Sequence, residues 1–275
     1  MSFYRNHKPK LTIVKVGGAV VEDAAQLDLL LHRFATIEGR KLLVHGGGRR
    51  ATAVASALGI ETKMVGGRRI TDADMLNVVT MVYGGLVNKT IVARMQALGI
   101  DAIGLTGADL DIIRSHKRPL KDGIDYGFVG DVDKVDASKI SHFIENNSVP
   151  VISPLTHDAG GNMLNTNADT IASETAKAMA QRLRVGDGTS EMAYDVTLVF
   201  AFEKAGVLAN PDDDNSVIPE ITPDSFHQLV ADGTVSGGMI PKIENALAAV
   251  KAGVSQVVIT RADLIGTTSG TIIRS

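Results

Sequence analysis

No cysteine occurs anywhere in the 275 residues, which excludes a disulfide framework, a thiolate metal site and a cysteine nucleophile. The redox compartment is thereby left unmarked and compatible with the cytosol. Charge of one sign is also lacking. There are 28 Lys and Arg against 31 Asp and Glu, and the formal net charge of −3 leaves no electrostatic footprint for nucleic acid. No run approaches the roughly 20 apolar residues that cross a bilayer. The first ten residues are polar, and the apolar run after them is broken by Lys15 and Gly17-Gly18, unlike a secretory signal. The expectation is a soluble, cytoplasmic protein that contacts neither nucleic acid nor membrane. Repeats, low-complexity tracts and linkers are missing too, so one large domain, or two lobes sharing a core, fits the length.

What is present is material for a core. Hydrophobic residues make up 44% and charged residues 21%, an apolar content that argues against disorder and needs no staples. Short β-branched runs at Leu11–Val16, Lys41–Val44, Asp101–Leu105, Val149–Ser153, Asp195–Phe200 and Gln256–Thr260 read as strands, several apolar on both faces. Two-sided strands belong in a parallel sheet covered by helices. Between them lie helical patterns such as Ala168–Leu183, with Asn167 as its N-cap. The fold class is therefore α/β, a three-layer αβα sandwich with a mainly parallel central sheet. Asp111–Lys117 and Lys121–Val132, with turn signals at Asp122-Gly123 and Tyr126-Gly127, predict a small β-hairpin inserted beside it. Asp212-Asp213-Asp214 lacks the glycine and terminal glutamate of a calcium loop and reads as a solvated turn.

Four glycine-rich elements follow strands: Lys15-Val16-Gly17-Gly18, His45-Gly46-Gly47-Gly48, Gly104-Leu105-Thr106-Gly107-Ala108-Asp109 and Ser236-Gly237-Gly238-Met239-Ile240-Pro241-Lys242. Ligands of open parallel sheets bind at the carboxyl ends of the strands. Glycine there lets backbone N–H groups approach an anion, and a following helix start adds positive charge. Each alone could be a tight turn; several together, two of them carrying lysine, favour phosphate. Familiar phosphate motifs are absent, and Gly84-Gly85-Leu86-Val87-Asn88-Lys89-Thr90 misses the G-x-x-x-x-G-K-[ST] loop by having Asn88 at the second glycine. Neither G-x-G-x-x-G after the first strand, nor H-E-x-x-H, nor G-x-S-x-G occurs, which weakens nicotinamide, metalloprotease and hydrolase readings. Lys15 could snorkel at a strand edge, but Gly17-Gly18 beside it favours an anion. Lys242 follows Pro241 near a helix start. Asp169 could be a first-turn acid or could hold lysines in place. Arg68-Arg69 could be a solvated pair or a bidentate carboxylate clamp.

In order along the chain, Val14-Lys15-Val16-Gly17-Gly18, Val44-His45-Gly46-Gly47-Gly48, Gly67-Arg68-Arg69-Ile70-Thr71, Gly127-Phe128-Val129-Gly130, Asn165-Thr166-Asn167-Ala168-Asp169 and Gly238-Met239-Ile240-Pro241-Lys242 resemble the amino-acid kinase family over nearly the whole chain. The resemblance implies transfer from ATP to the side-chain carboxylate of N-acetyl-L-glutamate, a step of arginine biosynthesis. N-succinyl-L-glutamate, another acceptor of the family, or a non-catalytic sensor of amino acid or nucleotide are the alternatives. By motif, Lys15 and Lys242 would stabilise the transferring phosphoryl group and Asp169 would organise both. Gly17 and Gly18, with the two lysines, would hold ATP. Gly46, Gly47 and Gly48 would cradle phosphate and substrate, Arg69 would grip the α-carboxylate and Asn165 the other polar groups. Mg²⁺ would arrive with ATP, held by phosphate oxygens. The resemblance also implies an acceptor-binding, dimerising part up to about residue 190 and a nucleotide-binding part from about 191, within a single domain.

The chemistry fits these residue types. A glutamate side chain, with a pKa near ~4.3, is already ionised at neutral pH and needs no general base. The difficulty is bringing a carboxylate to a polyanion, which calls for fixed positive charge and oriented N–H groups. One departure stands out. Phe202-Glu203 occupies the place where the family has a Ser/Thr-Asp pair on the nucleotide side. The segment before Leu11 is too short for the additional helix of arginine-inhibited hexamers, so a homodimer insensitive to arginine is the expectation.

Overall fold

The two-sided apolar runs form the interior of a single sheet. A computed structural model describes residues 8–120, 122–181, 183–185 and 190–275. Its main sheet has eight strands: β1 (Lys10–Val16), β2 (Arg40–His45), β3 (Ala102–Leu105), β4 (Val149–Ile152), β5 (Asp195–Phe202), β6 (Glu220–Ile221), β7 (Gln256–Arg261) and β8 (Thr271–Ile273). Their order is β6-β8-β7-β5-β1-β2-β4-β3. Every neighbouring pair is parallel except β7 with β8. The six strands expected from sequence are the six at the centre and one flank. The two short strands β6 and β8, at the other flank, have too few residues to show a period.

The pleat of β1 explains the layers. Leu11 and Ile13 enter one core with Ile171, Ala172, Ala176 and Met179 of the helix Ala168–Ala180. Val14 and Val16 enter the other, with Leu27, Leu30, Leu31 and Phe34 of the helix Ala24–Ala35. Each of the Leu, Ile, Val, Met and Phe side chains, fully buried, contributes about 1.5–3 kcal/mol relative to exposure. Successive strand residues face opposite ways, so Lys15 lies on the Ala168–Ala180 side.

Two expectations change. The helix starting after Asn167, whose side chain accepts from the Thr170 N–H at 3.0 Å, ends at Ala180 rather than Leu183. Gln181 is extended, and Leu183–Val185 is a short strand paired with Ser190–Met192. The inserted hairpin is larger than a hairpin: Ile113–Lys117 and Val129–Val135 are joined by Leu155–His157 and Met163–Thr166 in a closed four-stranded barrel. A lone two-stranded ribbon is marginal in water and leaves edges open, which closure removes. Its first strand starts at Ile113 because Leu110 and Asp111 adopt φ of 53° and 55° in a preceding turn. Lys121 lies outside the described residues. Gly84-Gly85, of the stretch that misses the phosphate-loop motif, lies in a π-helical turn, Thr80–Val87, between the helices Ala73–Val79 and Asn88–Ala97. This run from Ala73 to Ala97 is the one helix among the described residues with the length and apolar character to cross a bilayer. Met75, Val78, Val79, Val82, Ile91 and Met95 bury one side of it in the second core.

Candidate active site

β1 and β2 each run directly into glycine. The Gly46 N–H donates to the Val16 carbonyl at 3.0 Å, and the Gly17 N–H to the Ala201 carbonyl of β5 at 3.3 Å. The two turns approach so closely that a Cβ on Gly46 would stand 3.1 Å from the Gly18 nitrogen. Any side chain there would push the turns apart. Gly48 opens the helix Gly48–Ala57, whose first N–H groups have no intrahelical acceptor. The Glu22 carboxylate takes the Arg50 N–H, which ties the first turn's helix to the second's. Among the described residues nothing accepts from the Gly48 N–H, so that donor is free for an anion.

Beneath the second turn His45 is fully buried. Its Nδ1 meets the Gly46 carbonyl at 2.7 Å and its Nε2 meets the Asn88 amide nitrogen at 3.1 Å. A ring that donates at Nδ1 and accepts at Nε2 is neutral, and burial pushes its pKa down to about 4. Asn88 also donates to the Val151 carbonyl at 2.9 Å. Room for Asn88 comes from Gly104, where a Cβ would lie 2.0 Å from Asn88 Oδ1. The third glycine-rich element therefore supports the second turn from behind. Its Thr106 N–H and hydroxyl close onto Asp109 at 2.6 and 2.8 Å, and none of its residues lines the cavities described below.

The two lysines are held differently. Lys15, buried at the end of β1, places Nζ 2.7 Å from Asp169 Oδ1 in the first turn of the facing helix. Lys242, exposed in the first turn of the helix Met239–Lys251, is not paired with Asp169. Its Nζ stands 4.4 Å from the centroid of the Phe202 ring, and Lys15 Nζ stands 5.3 Å from the same centroid. Both ammoniums thus gather at one aromatic ring at the end of β5, within about 10 Å of each other.

Three cavities open around these groups. The first is lined by Gly18, Gly46, Gly47, Gly48, Arg69 and Asn165 among others, so every residue expected on the acceptor side faces it. The second carries Gly17, Gly18, Gly48, Phe202 and Lys242. The third carries Asp169, Arg68, Lys177, Phe202 and Lys242. Arg69 is buried and fixed: Nη2 donates to the Gly48 carbonyl at 2.8 Å and to Thr52 Oγ1 at 2.9 Å, and Nη1 to Thr62 Oγ1 at 3.2 Å. Asn165 Nδ2 donates to Thr71 Oγ1 at 2.9 Å, which itself donates to the Arg69 carbonyl at 3.2 Å. Gly127, at φ 70°, lets the barrel pass within reach of this chain; a Cβ there would lie 2.2 Å from the Thr71 carbonyl oxygen. Arg68 is different. Burial, with Arg118 nearby, pushes its guanidinium pKa down, and among the described residues no carboxylate pairs with it.

Residues 10–185 and 193–261 match the family model described as the amino acid kinase family. The chain belongs to that family. Among its relatives, proteins named acetylglutamate kinase from Phocaeicola vulgatus and Bacteroides thetaiotaomicron are 61% and 60% identical over 267 residues, 97% of this chain and 99% of each relative. A solved structure from Streptococcus mutans superposes with a TM-score of 0.75 at 27% identity, covering 96% of this chain and 98% of that one. This amino acid kinase thus uses the carboxyl ends of β1, β2 and β5 as the floor of its cavities. Sequence reasoning missed Tyr83, whose ring would meet a Cβ on Gly47 at 3.0 Å, and the Asn88–His45 support. It also missed the contact of both lysines with Phe202, which the departure from the family's usual pair could have signalled.

Proposed function

We propose that this chain transfers the γ-phosphoryl group of ATP to the side-chain carboxylate of N-acetyl-L-glutamate, in arginine biosynthesis and in the cytoplasm. The observation that carries the reading is the Lys15–Asp169 ion pair with Lys242 at the same Phe202 ring, Lys242 lining a glycine-lined cavity that shares Gly18 and Gly48 with an arginine-lined one. The acceptor would sit in the first cavity, its α-carboxylate toward Arg69 and its other polar groups toward Asn165 and the Gly46–Gly48 turn. The nucleotide would enter from the second cavity, with phosphates toward Gly17, Gly18, Lys15 and Lys242. The ionised side-chain oxygen attacks the γ-phosphorus; that P–O bond forms while the bond to the β,γ-bridging oxygen breaks, and ADP leaves. The lysines and the free Gly48 N–H meet charge that spreads over the phosphoryl oxygens, while Asp169 keeps Lys15 aimed. Mg²⁺ would arrive with ATP, held mainly by phosphate oxygens.

One observation favours a second reading of the acceptor. Arg68, without a carboxylate partner among the described residues, lines the first cavity beside Arg69, and a second cation suits an acyl group that ends in a carboxylate, as in N-succinyl-L-glutamate. Comparative kcat/KM for acetyl-, succinyl- and unmodified glutamate separates the two. Retention of both lysines and Asp169 speaks against a non-catalytic sensor. The proposed assembly is a homodimer without arginine inhibition, with acceptor binding and dimerisation in the part before about residue 190 and nucleotide binding after it. Light scattering and an arginine titration test this.

A further inference from the structure

Phe202 is the point where two tethers diverge. Asp169 fixes the Lys15 ammonium at 2.7 Å, yet Lys242 has no carboxylate or carbonyl partner among the described residues. What it has is the Phe202 ring, 4.4 Å from its Nζ. That ring is itself held in place: it stacks on Phe200 at 6.0 Å with an interplanar angle of 10°, and Phe200 is buried in the core. Phe202 also lines both the second and the third cavity, as Lys242 does. An exposed lysine on a first helical turn would otherwise sweep through many rotamers and avoid the like charge of Lys15. A ring face attracts an ammonium through its quadrupole without neutralising it or adding a competing acceptor. The ring thus leaves the ammonium without a negative partner that would compete with an incoming phosphate, as a carboxylate in the same place would.

We propose that Phe202 is a positioning residue whose ring face holds the Lys242 ammonium beside Lys15, ready for the transferring phosphoryl group. The inference rests on the phosphotransfer reading above. Its strength is that of one cation–π contact at a partly exposed site, so its loss should lower turnover by up to about tenfold.

Two measurements test it. In protein with ¹³C-labelled lysine, the Lys242 Hε resonances should lie upfield through the ring current and return to ordinary shifts in Phe202→Leu. Ordinary shifts in the unsubstituted protein would overturn the proposal, whether or not the protein phosphorylates any acceptor. Next, Phe202 is replaced by 4-fluoro-, 3,5-difluoro- and pentafluorophenylalanine, which keep the shape while weakening the quadrupole stepwise and finally reversing its sign. With ATP and N-acetyl-L-glutamate, kcat should fall at each step, KM for the acceptor should stay within twofold, and Phe202→Tyr should keep kcat within twofold. Equal kcat across the fluorinated series would overturn the proposal even if Phe202→Leu were impaired, since shape alone would then be the cause. Absence of acyl phosphate from the unsubstituted protein would instead count against the phosphotransfer reading, and the resonances would still decide Phe202.

Discussion

Lys15 Nζ and Asp169 Oδ1 lie 2.7 Å apart although one residue ends the first strand and the other opens a helix far along the chain. The pairing follows from the pleat. Lys15 faces the layer formed by the Ala168–Ala180 helix, and Asn167 caps that helix so that Asp169 falls in its first turn. Lys15 is buried but the Asp169 side chain is 38% exposed, so the pair adds little to fold stability and serves to position an ammonium.

Lys15→Ala should lower kcat by about 10²-fold or more, the scale of one lost transition-state donor. Asp169→Asn keeps the shape and removes the charge that aims Lys15, so its kcat should fall as well while KM for ATP changes less. Steady-state kinetics with both substrates varied would check this. An Asp169→Asn enzyme with unchanged kcat would contradict it.

Arg69→Lys leaves one ammonium where the guanidinium reaches Gly48, Thr52 and Thr62. Lysine cannot fill those directions and face a carboxylate together. The expected result is a rise of about tenfold in KM for the acceptor with a smaller change in kcat. An effect confined to ATP would show that the acceptor lies elsewhere.

Asn88→Ala removes the donor to buried His45 Nε2 and should destabilise the fold by about 1–3 kcal/mol, read from urea midpoints. His45 also sets a pH window. Its folded pKa, about 4, lies below the unfolded value of 6.5. The contribution of its neutral form is thus whole above pH 6.5 and is lost as pH falls through about 4, because the unfolded chain takes the proton first. His45→Asn should flatten stability across that range.

At the opposite end of the sheet, Arg40 grips Glu145 through Nε at 2.6 Å and Nη2 at 2.8 Å, and Tyr194 donates to the same carboxylate at 2.7 Å. The Arg40 bonds hold the Glu145 pKa below its ordinary value. Its stabilisation is present above the unfolded carboxyl pKa and is lost as pH falls through the lower folded one. Glu145→Gln should therefore lower the thermal midpoint at pH 7 and narrow the gap to the parent protein in acid, without changing kcat. A midpoint unchanged at pH 7 would contradict the role.

The sheet was legible because its six longer strands are β-branched or apolar runs, several apolar on both faces, that end in glycine or polar turns. The barrel was only half legible: Leu155–His157 and Met163–Thr166 are too short for a period, and Asn165-Thr166-Asn167 reads as a helix start, which it also is. The long helix was hidden because Gly84-Gly85 looks like a breaker, whereas a π turn absorbs it against the second core. At the site, glycines mark strand ends and so disclose Lys15 and the Gly46–Gly48 turn. Phe202 and Asn88 disclose nothing alone, since an aromatic at a strand end and an amide in a helix acquire meaning only from the partners that tertiary structure brings.

The most direct measurement is hydroxylamine trapping of acyl phosphate from ATP and N-acetyl-L-glutamate by the purified protein, beside Lys15→Ala and Lys242→Ala. Hydroxamate formed in proportion to ADP, and depressed by about 10²-fold or more in either variant, is the result expected of two ammoniums meeting one phosphoryl group. Full activity in either variant, or ADP without hydroxamate, would contradict it.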